Sequence, residues 1–525
     1  MKKRLIFTCG LLAAIVSPAS PAADTRSKPE IAGTLGCATV GGGTDDNRWT
    51  QLPSNDTVVT RHRLSTPGRS FEYAATAGTL VIQDDEGRPI ANMGYTAYTR
   101  SGVPPASRPV LFAFNGGPGS SSVWLHLGLL GPKRIVVNDA GITPPAPVRM
   151  VDNEFSILDR ADIVLIDPVG TGFSRATCAR NDADFWGVDV DAESVGRFIA
   201  QYVTDNHRWA SPKYLLGESY GTIRAAVVAN YLRIRRSLNF NGVILLSVAI
   251  DLEAVYTDLP GNDRTYSLFL PGFAAVAWYH NKLPRQRGPL EPFLAEVRRY
   301  ASGPYLSLLA KGNGLSEAEL DAAAEDIHNY TGLSAAYLKA AHLRVSESAF
   351  NQELLRSERR TISRLDARYT GDTQDPLQKT ADYDPMLSQL GAVYTSAFQD
   401  YLRGELNIQR PQEYRTSAYL FIGDKWDYSH RVMGLVGEKQ PMVNAGVDLA
   451  QTLVQDPSLR VMSLNGYFDV GSPFSASEYM ISQMRIPPSA VSRIQMKYYE
   501  AGHMMYLHMP SLRQLKRDLD AFVGE

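Results

Sequence analysis

Tyr214-Leu215-Leu216-Gly217-Glu218-Ser219-Tyr220-Gly221 runs an apolar segment straight into a Gly-x-Ser-x-Gly pentad. Residues 223–236 then read as a helix, with Arg233, Arg235 and Arg236 at the end where cations complement the helix dipole. Strand, sharp turn and helix are the context in which this pentad presents its serine. The flanking glycines matter because such a turn has no room for nearby β-carbons. The turn lifts the Ser219 hydroxyl off the sheet edge and sets a helix N-terminus beneath it, where partial positive charge favours a developing oxyanion. Ser219 is the candidate nucleophile.

The chain around it alternates strands and helices. Residues 110–114, 163–166, 214–216, 243–246 and 461–464 are apolar at nearly every position, as in strands buried on both faces of a parallel sheet. Within 191–206, Val195, Phe198, Ile199 and Tyr202 form one helical stripe. Upstream, 58–64, 78–82 and 95–99 are short β-type runs separated by turn residues, as in antiparallel pairs. The expected fold class is α/β, a mostly parallel central sheet flanked by helices. Residues 252–415 break the alternation: 290–300, 316–329, 334–342 and 384–404 read as helices with many charges. We expect a mainly helical cap inserted between a first core part, 57–251, and a second, 416–525.

The first four residues carry three cations, 5–16 are largely apolar, and 17–23 are small and Pro-rich. That is the layout of a secretory signal over 1–23, cleaved after Ala22 or Ala23, and too short an apolar run to span a bilayer. The product would be exported, to the periplasm or the medium. Residues 24–56, rich in Gly, Thr, Asp and Pro, read as a flexible leader. Removing the signal leaves Cys37 and Cys178, which could pair or stay as thiols. Hydrophobic residues make up 44% of the chain and net charge is −2 without a basic stripe, which argues against nucleic acid or an anionic membrane as partner. There is no metal-ligand spacing and no phosphate loop, so no cofactor is expected.

Residues 110–119 end a buried strand in Asn115-Gly116-Gly117-Pro118-Gly119, where paired glycines let backbone N–H groups point into a site. Here the chain resembles the serine carboxypeptidase family of the α/β-hydrolase superfamily. Asn115–Gly119 match its Asn-Gly-Gly-Pro-Gly. Residues 167–174 loosely match its Asp-x-Pro-x-Gly-x-Gly-Phe-Ser, 217–221 its Gly-Glu-Ser-Tyr core, and 500–504 its terminal Gly-x-Gly-His-Met. By that resemblance, Gly117 and Tyr220 supply oxyanion N–H groups, and Asn115 and Glu218 hold a substrate's terminal carboxylate. An amide and a protonated glutamic acid can both donate to a carboxylate, whereas an ionised one repels it, so acid pH would favour activity. The chain departs from the family in having Ser120 for a commonly disulfide-bonded cysteine, and Leu129 for a second glutamate.

A serine nucleophile needs a base. His503 follows a β-type run, 493–499, and this fold places its histidine last in the order Ser, Asp, His. His508 is the later competitor. For the acid, Asp469 lies just past the apolar run 461–464, read as a strand, in the segment adjoining His503; Asp424 and Asp427 are rivals with a similar strand-then-Asp pattern after 419–422. Asp167 reads as a turn cap. The resemblance implies a serine-type carboxypeptidase acting through Ser219, Asp469 and His503 on peptide or protein C-termini. An esterase, an acyltransferase or a catalytically silent binding homologue could use the same fold.

Overall fold

The computed structural model describes residues 55–524, apart from 145, 178, 179, 258, 260 and 436. The expected signal over 1–23 and nearly all of the expected leader lie outside the described residues, as do Cys37 and Cys178. Three antiparallel strands open the sheet: β1 (Asp56–Thr66), β2 (Arg69–Gln83) and β3 (Pro89–Arg100). Six parallel strands follow: β4 (Val110–Phe114), β5 (Asp162–Ile166), β6 (Lys213–Glu218), β7 (Gly242–Leu246), β8 (Arg460–Gly466) and β9 (Ile494–Tyr499). Their order across the sheet is β1-β2-β3-β5-β4-β6-β7-β8-β9. The architecture is an α/β-hydrolase one, with β3 joining β5 antiparallel and every later pairing parallel.

Burial explains the difference between the two halves. β1 alternates along its length, as a strand with one wet face must, while every residue of β4, β5, β6 and β7 is buried. Helices α1 (Val188–Asp205), α2 (Tyr220–Arg236) and α7 (Gly446–Gln455) cover one face through Phe198, Val228 and Leu449. Helices α6 (Pro385–Gly404) and α8 (Met509–Gly524) cover the other through Val393 and Leu515. Between β7 and β8, α3 (Arg264–Tyr279), α4 (Leu290–Tyr300) and α5 (Glu317–Thr331) build a third core of their own. That core takes in Phe468 and Val470, the neighbours of Asp469, so the Asp469 loop is anchored from the inserted helices as well as from the sheet.

Among the described residues no helix is long and apolar enough to cross a membrane. One local expectation is corrected. The apolar run before Asp424 is a short helix, Tyr419–Ile422, not a strand, and Leu420 and Phe421 are exposed. Four apolar residues carry too little periodicity to separate a buried strand from a turn of helix.

The segment after this helix is clamped by His430. Its Nδ1 meets Asp189 Oδ1 at 2.6 Å and its Nε2 meets Asp448 Oδ2 at 2.8 Å, joining α1 to α7. Burial works to lower the imidazole pKa, but the two carboxylates outweigh it and raise it to about 9. The folded value lies above the unfolded one near 6.5, so the clamp contributes fully below that pH and fades as pH rises through about 9. His430→Gln should therefore cost about 3 kcal/mol in urea unfolding at pH 6, since it strands the buried Asp448. The gap from wild type should narrow above pH 9; a gap independent of pH would show that the imidazole is not charged.

Candidate active site

The elbow forms where β6 gives way to α2. Ser219 adopts φ 61° and ψ −128°, a left-handed backbone that costs a non-glycine residue about 1–3 kcal/mol and is held only by surrounding structure. Its N–H donates to Leu246 O at 2.9 Å, and its carbonyl accepts from Thr222 N and Oγ1. A β-carbon on Gly217 would overlap the Gly221 carbonyl. Glu218 and Tyr220 are buried, whereas Ser219 between them is partly exposed.

The Asn115 loop comes from β4, the parallel neighbour of β6, with Phe114 in register with Gly217. A β-carbon on Gly116 would lie 2.5 Å from Tyr220 N and 2.6 Å from Glu218 O, so only glycine allows the loop to rest on the elbow. The approach sets Gly116 on Tyr220, the first residue of α2, and Gly117 follows in the loop at φ 107°. First-turn N–H groups have no acceptor within their own helix. The sequence reading missed what steadies the loop from behind. Arg224, 1% exposed, donates from Nη1 to Asn115 O and from Nε to Asp191 Oδ2, both at 2.7 Å. Its signal was there: a lone arginine inside the apolar run 223–228 has to find a buried partner.

The histidine and its acid arrive from the other side. His503 Nδ1 donates to Asp469 Oδ2 at 2.7 Å, and Asp469 is fully buried. Asp469 Oδ1 accepts from Gly471 N and Ser472 N, and Ser472 Oγ donates to Oδ2 at 2.7 Å. With Nδ1–H given to the carboxylate, the lone pair of a neutral imidazole sits on Nε2. Burial favours the neutral ring, but the Asp469 charge prevails and the His503 pKa is raised. The His503 carbonyl accepts from Ser247 Oγ at 2.6 Å, and Ser247 follows Leu246, the acceptor of the Ser219 N–H. The inserted segment also reaches here: Leu365 O accepts the His503 N–H at 2.6 Å and Arg364 O the Val470 N–H at 3.2 Å.

The rival residues lie elsewhere. His508 Nδ1 bonds Ser511 Oγ, Asp427 pairs with Lys439, and Asp424 is exposed. Asp167 ties two segments of chain rather than capping its own turn, its Oδ1 accepting from Ser122 N, 45 positions away, at 2.9 Å. Glu218 is 2% exposed, and burial pushes its pKa up to about 7 against the opposing effects of His503, Tyr506 and Asn115. Tyr506, which the sequence reading also missed, donates its phenol to Glu218 Oε2 at 2.9 Å.

Residues 75–260 match the family model described as serine carboxypeptidase. Among curated proteins, the chain is 27% identical over 179 residues to serine carboxypeptidase-like 33 of Arabidopsis thaliana, covering 34% of each protein. It is 29% identical over 194 residues to carboxypeptidase Y homolog A of Aspergillus oryzae, covering 36% of this chain and 33% of that one. The chain thus spans about a third of the length of the curated relatives it matches. A solved proline iminopeptidase of Mycobacterium smegmatis aligns over 85% of this chain and 98% of its own at 14% identity and TM-score 0.35. The resemblance read from the motifs is shared by the family model and both relatives, and the model's match includes Asn115, Asp167 and Ser219.

The Arg224–Asp191 pair is testable without an assay of activity. Arg224→Leu should lower stability by about 3–5 kcal/mol in chemical denaturation, because it leaves Asp191 charged and buried. Arg224→Leu with Asp191→Leu should recover part of that loss; additive losses would show that the two side chains do not interact.

Proposed function

We propose that a chain related to serine carboxypeptidases over residues 75–260 is itself a serine-type carboxypeptidase. Ser219 Oγ attacks the last peptide carbonyl carbon while His503 Nε2 takes its proton. The negative oxygen is met by the N–H groups of Gly117 and Tyr220, and Asp469 holds the imidazolium. The peptide C–N bond then breaks, His503 passes its proton to the leaving amine, and water enters by the reverse route to free the acyl group from Ser219. The observation that carries this reading is the buried Asp469–His503 pair tied to the Ser219 elbow through Leu246 and Ser247.

Exopeptidase specificity is assigned to Asn115 and Glu218. A carboxyl that stays neutral up to about pH 7 can donate to the carboxylate of a substrate's last residue. Residues 252–415 are assigned as a cap between the two core parts, supported by the contacts of Leu365 and Arg364 with the His503 and Asp469 loops. The N-terminal pattern supports export.

The test is hydrolysis of a peptide with a free C-terminus against its C-terminal amide, read by mass spectrometry. The free acid should lose its last residue at least tenfold faster, and Ser219→Ala should reduce the rate by several orders of magnitude. The preference should fade as pH rises through about 7, because Glu218 ionises and repels the substrate carboxylate, while an ester without that carboxylate keeps reacting. Equal rates on acid and amide would remove the carboxypeptidase reading and leave an esterase or acyltransferase. Separately, N-terminal sequencing of the mature protein should begin at residue 23 or 24; a start at Met1 would remove the assignment of export.

A further inference from the structure

We propose that Tyr506 is a positioning residue for specificity, fixing which oxygen of Glu218 carries the proton offered to the substrate carboxylate; this rests on the carboxylate-binding role assigned above. Tyr506 lies on the turn Met505–Leu507, three residues past His503, and is buried. Its hydroxyl donates to Glu218 Oε2 at 2.9 Å. Its ring lies on Gly128, where a β-carbon would overlap it and would sit 3.1 Å from the Tyr394 hydroxyl, so a glycine makes room for both phenols. The next residue, Leu129, brings no polar group to Glu218.

The consequence is a matter of donor counting. A neutral carboxyl has one O–H, and an oxygen already accepting a phenol hydrogen bond is the poorer place for it. With Oε2 accepting from Tyr506, the proton belongs on Oε1. Tyr506 is fit for this because burial, with the Glu218 charge next, raises its pKa well above the ordinary phenol value, which keeps it a donor. Asn115 is oriented in the same way: its Oδ1 accepts from Leu125 N at 3.1 Å, which leaves its amide hydrogens as the donors it can offer at this site. One amide and one O–H of fixed direction then serve the ligand.

The phenol bond also has a cost for the neutral acid. A donor to Oε2 is stronger toward the carboxylate than toward the neutral group, so it holds the Glu218 pKa below the value burial alone would set. Tyr506 therefore trades some of the pH range of the neutral form for a defined direction of its proton.

The experiment uses full-length enzyme and Tyr506→Phe, which keeps the ring over Gly128. On a C-terminally free peptide, KM should rise about tenfold more than on an ester lacking the carboxylate. The pH at which free-acid turnover falls should move up by about one unit, as the loss of a hydrogen bond to a charged group implies. In a Glu218→Gln background the same substitution should move no pH limb. Equal losses on both substrates with an unmoved limb would overturn the inference and reduce Tyr506 to packing, as would a limb that moves in the Glu218→Gln background. A wild type indifferent to the free carboxylate is a separate outcome, seen before any variant is made; it would remove the function assigned above and this inference with it.

Discussion

Leu246 ends strand β7 and Ser247 follows it, and three distant pieces of chain meet on their polar atoms. The Leu246 carbonyl takes the Ser219 N–H, the Ser247 hydroxyl donates to the His503 carbonyl, and the Ser247 N–H donates to Leu464 O on the strand that leads to Asp469. Parallel pairing of β7 with β6 on one side and β8 on the other is what brings these ends level. Because every residue of β7 is buried, its register is fixed by packing on both faces, and a one-residue slip would reverse every side chain. The candidate triad inherits its geometry from that register.

Close approach of backbone to backbone is the second requirement. The Asn115 loop can rest on the elbow only where β-carbons are missing, and the contact is held by a fully buried charge pair rather than by side-chain packing alone. Arg224 serves the Asn115 carbonyl and the Asp191 carboxylate at once. A buried ion pair is seldom a net gain in stability over apolar residues. Here it satisfies a carbonyl at the end of the loop proposed to supply an oxyanion N–H, a task no apolar side chain could perform.

Burial also sets the electrical character of the region. Glu218 and His503 share one desolvated pocket, and each charge acts on the other: an ionised Glu218 raises the His503 pKa, and a protonated His503 lowers that of Glu218. In the proposed mechanism both must be neutral when substrate binds. Neutralising Glu218 removes one of the charges that hold a proton on His503, so the binding-competent form of one is also the form that frees the other to act as base.

The α/β class, the buried parallel strands, the elbow at Ser219 and the glycine loop at Asn115 were legible in the sequence because each is a local pattern: an unbroken apolar run, a pentad, a glycine pair at a strand end. His503 and Asp469 were reachable through chain order. The strand expected at Tyr419–Ile422 was not, since a four-residue run says little about its surroundings. Arg224 with Asp191, Ser472, and Tyr506 on Glu218 came only from the tertiary structure. Each is a pairing across 3 to 288 positions, apparent only once two segments lie together. Sequence determined which groups could do chemistry; the tertiary structure decided their company, because hydrogen bonds and desolvation depend on distance in space, which separation along the chain does not encode.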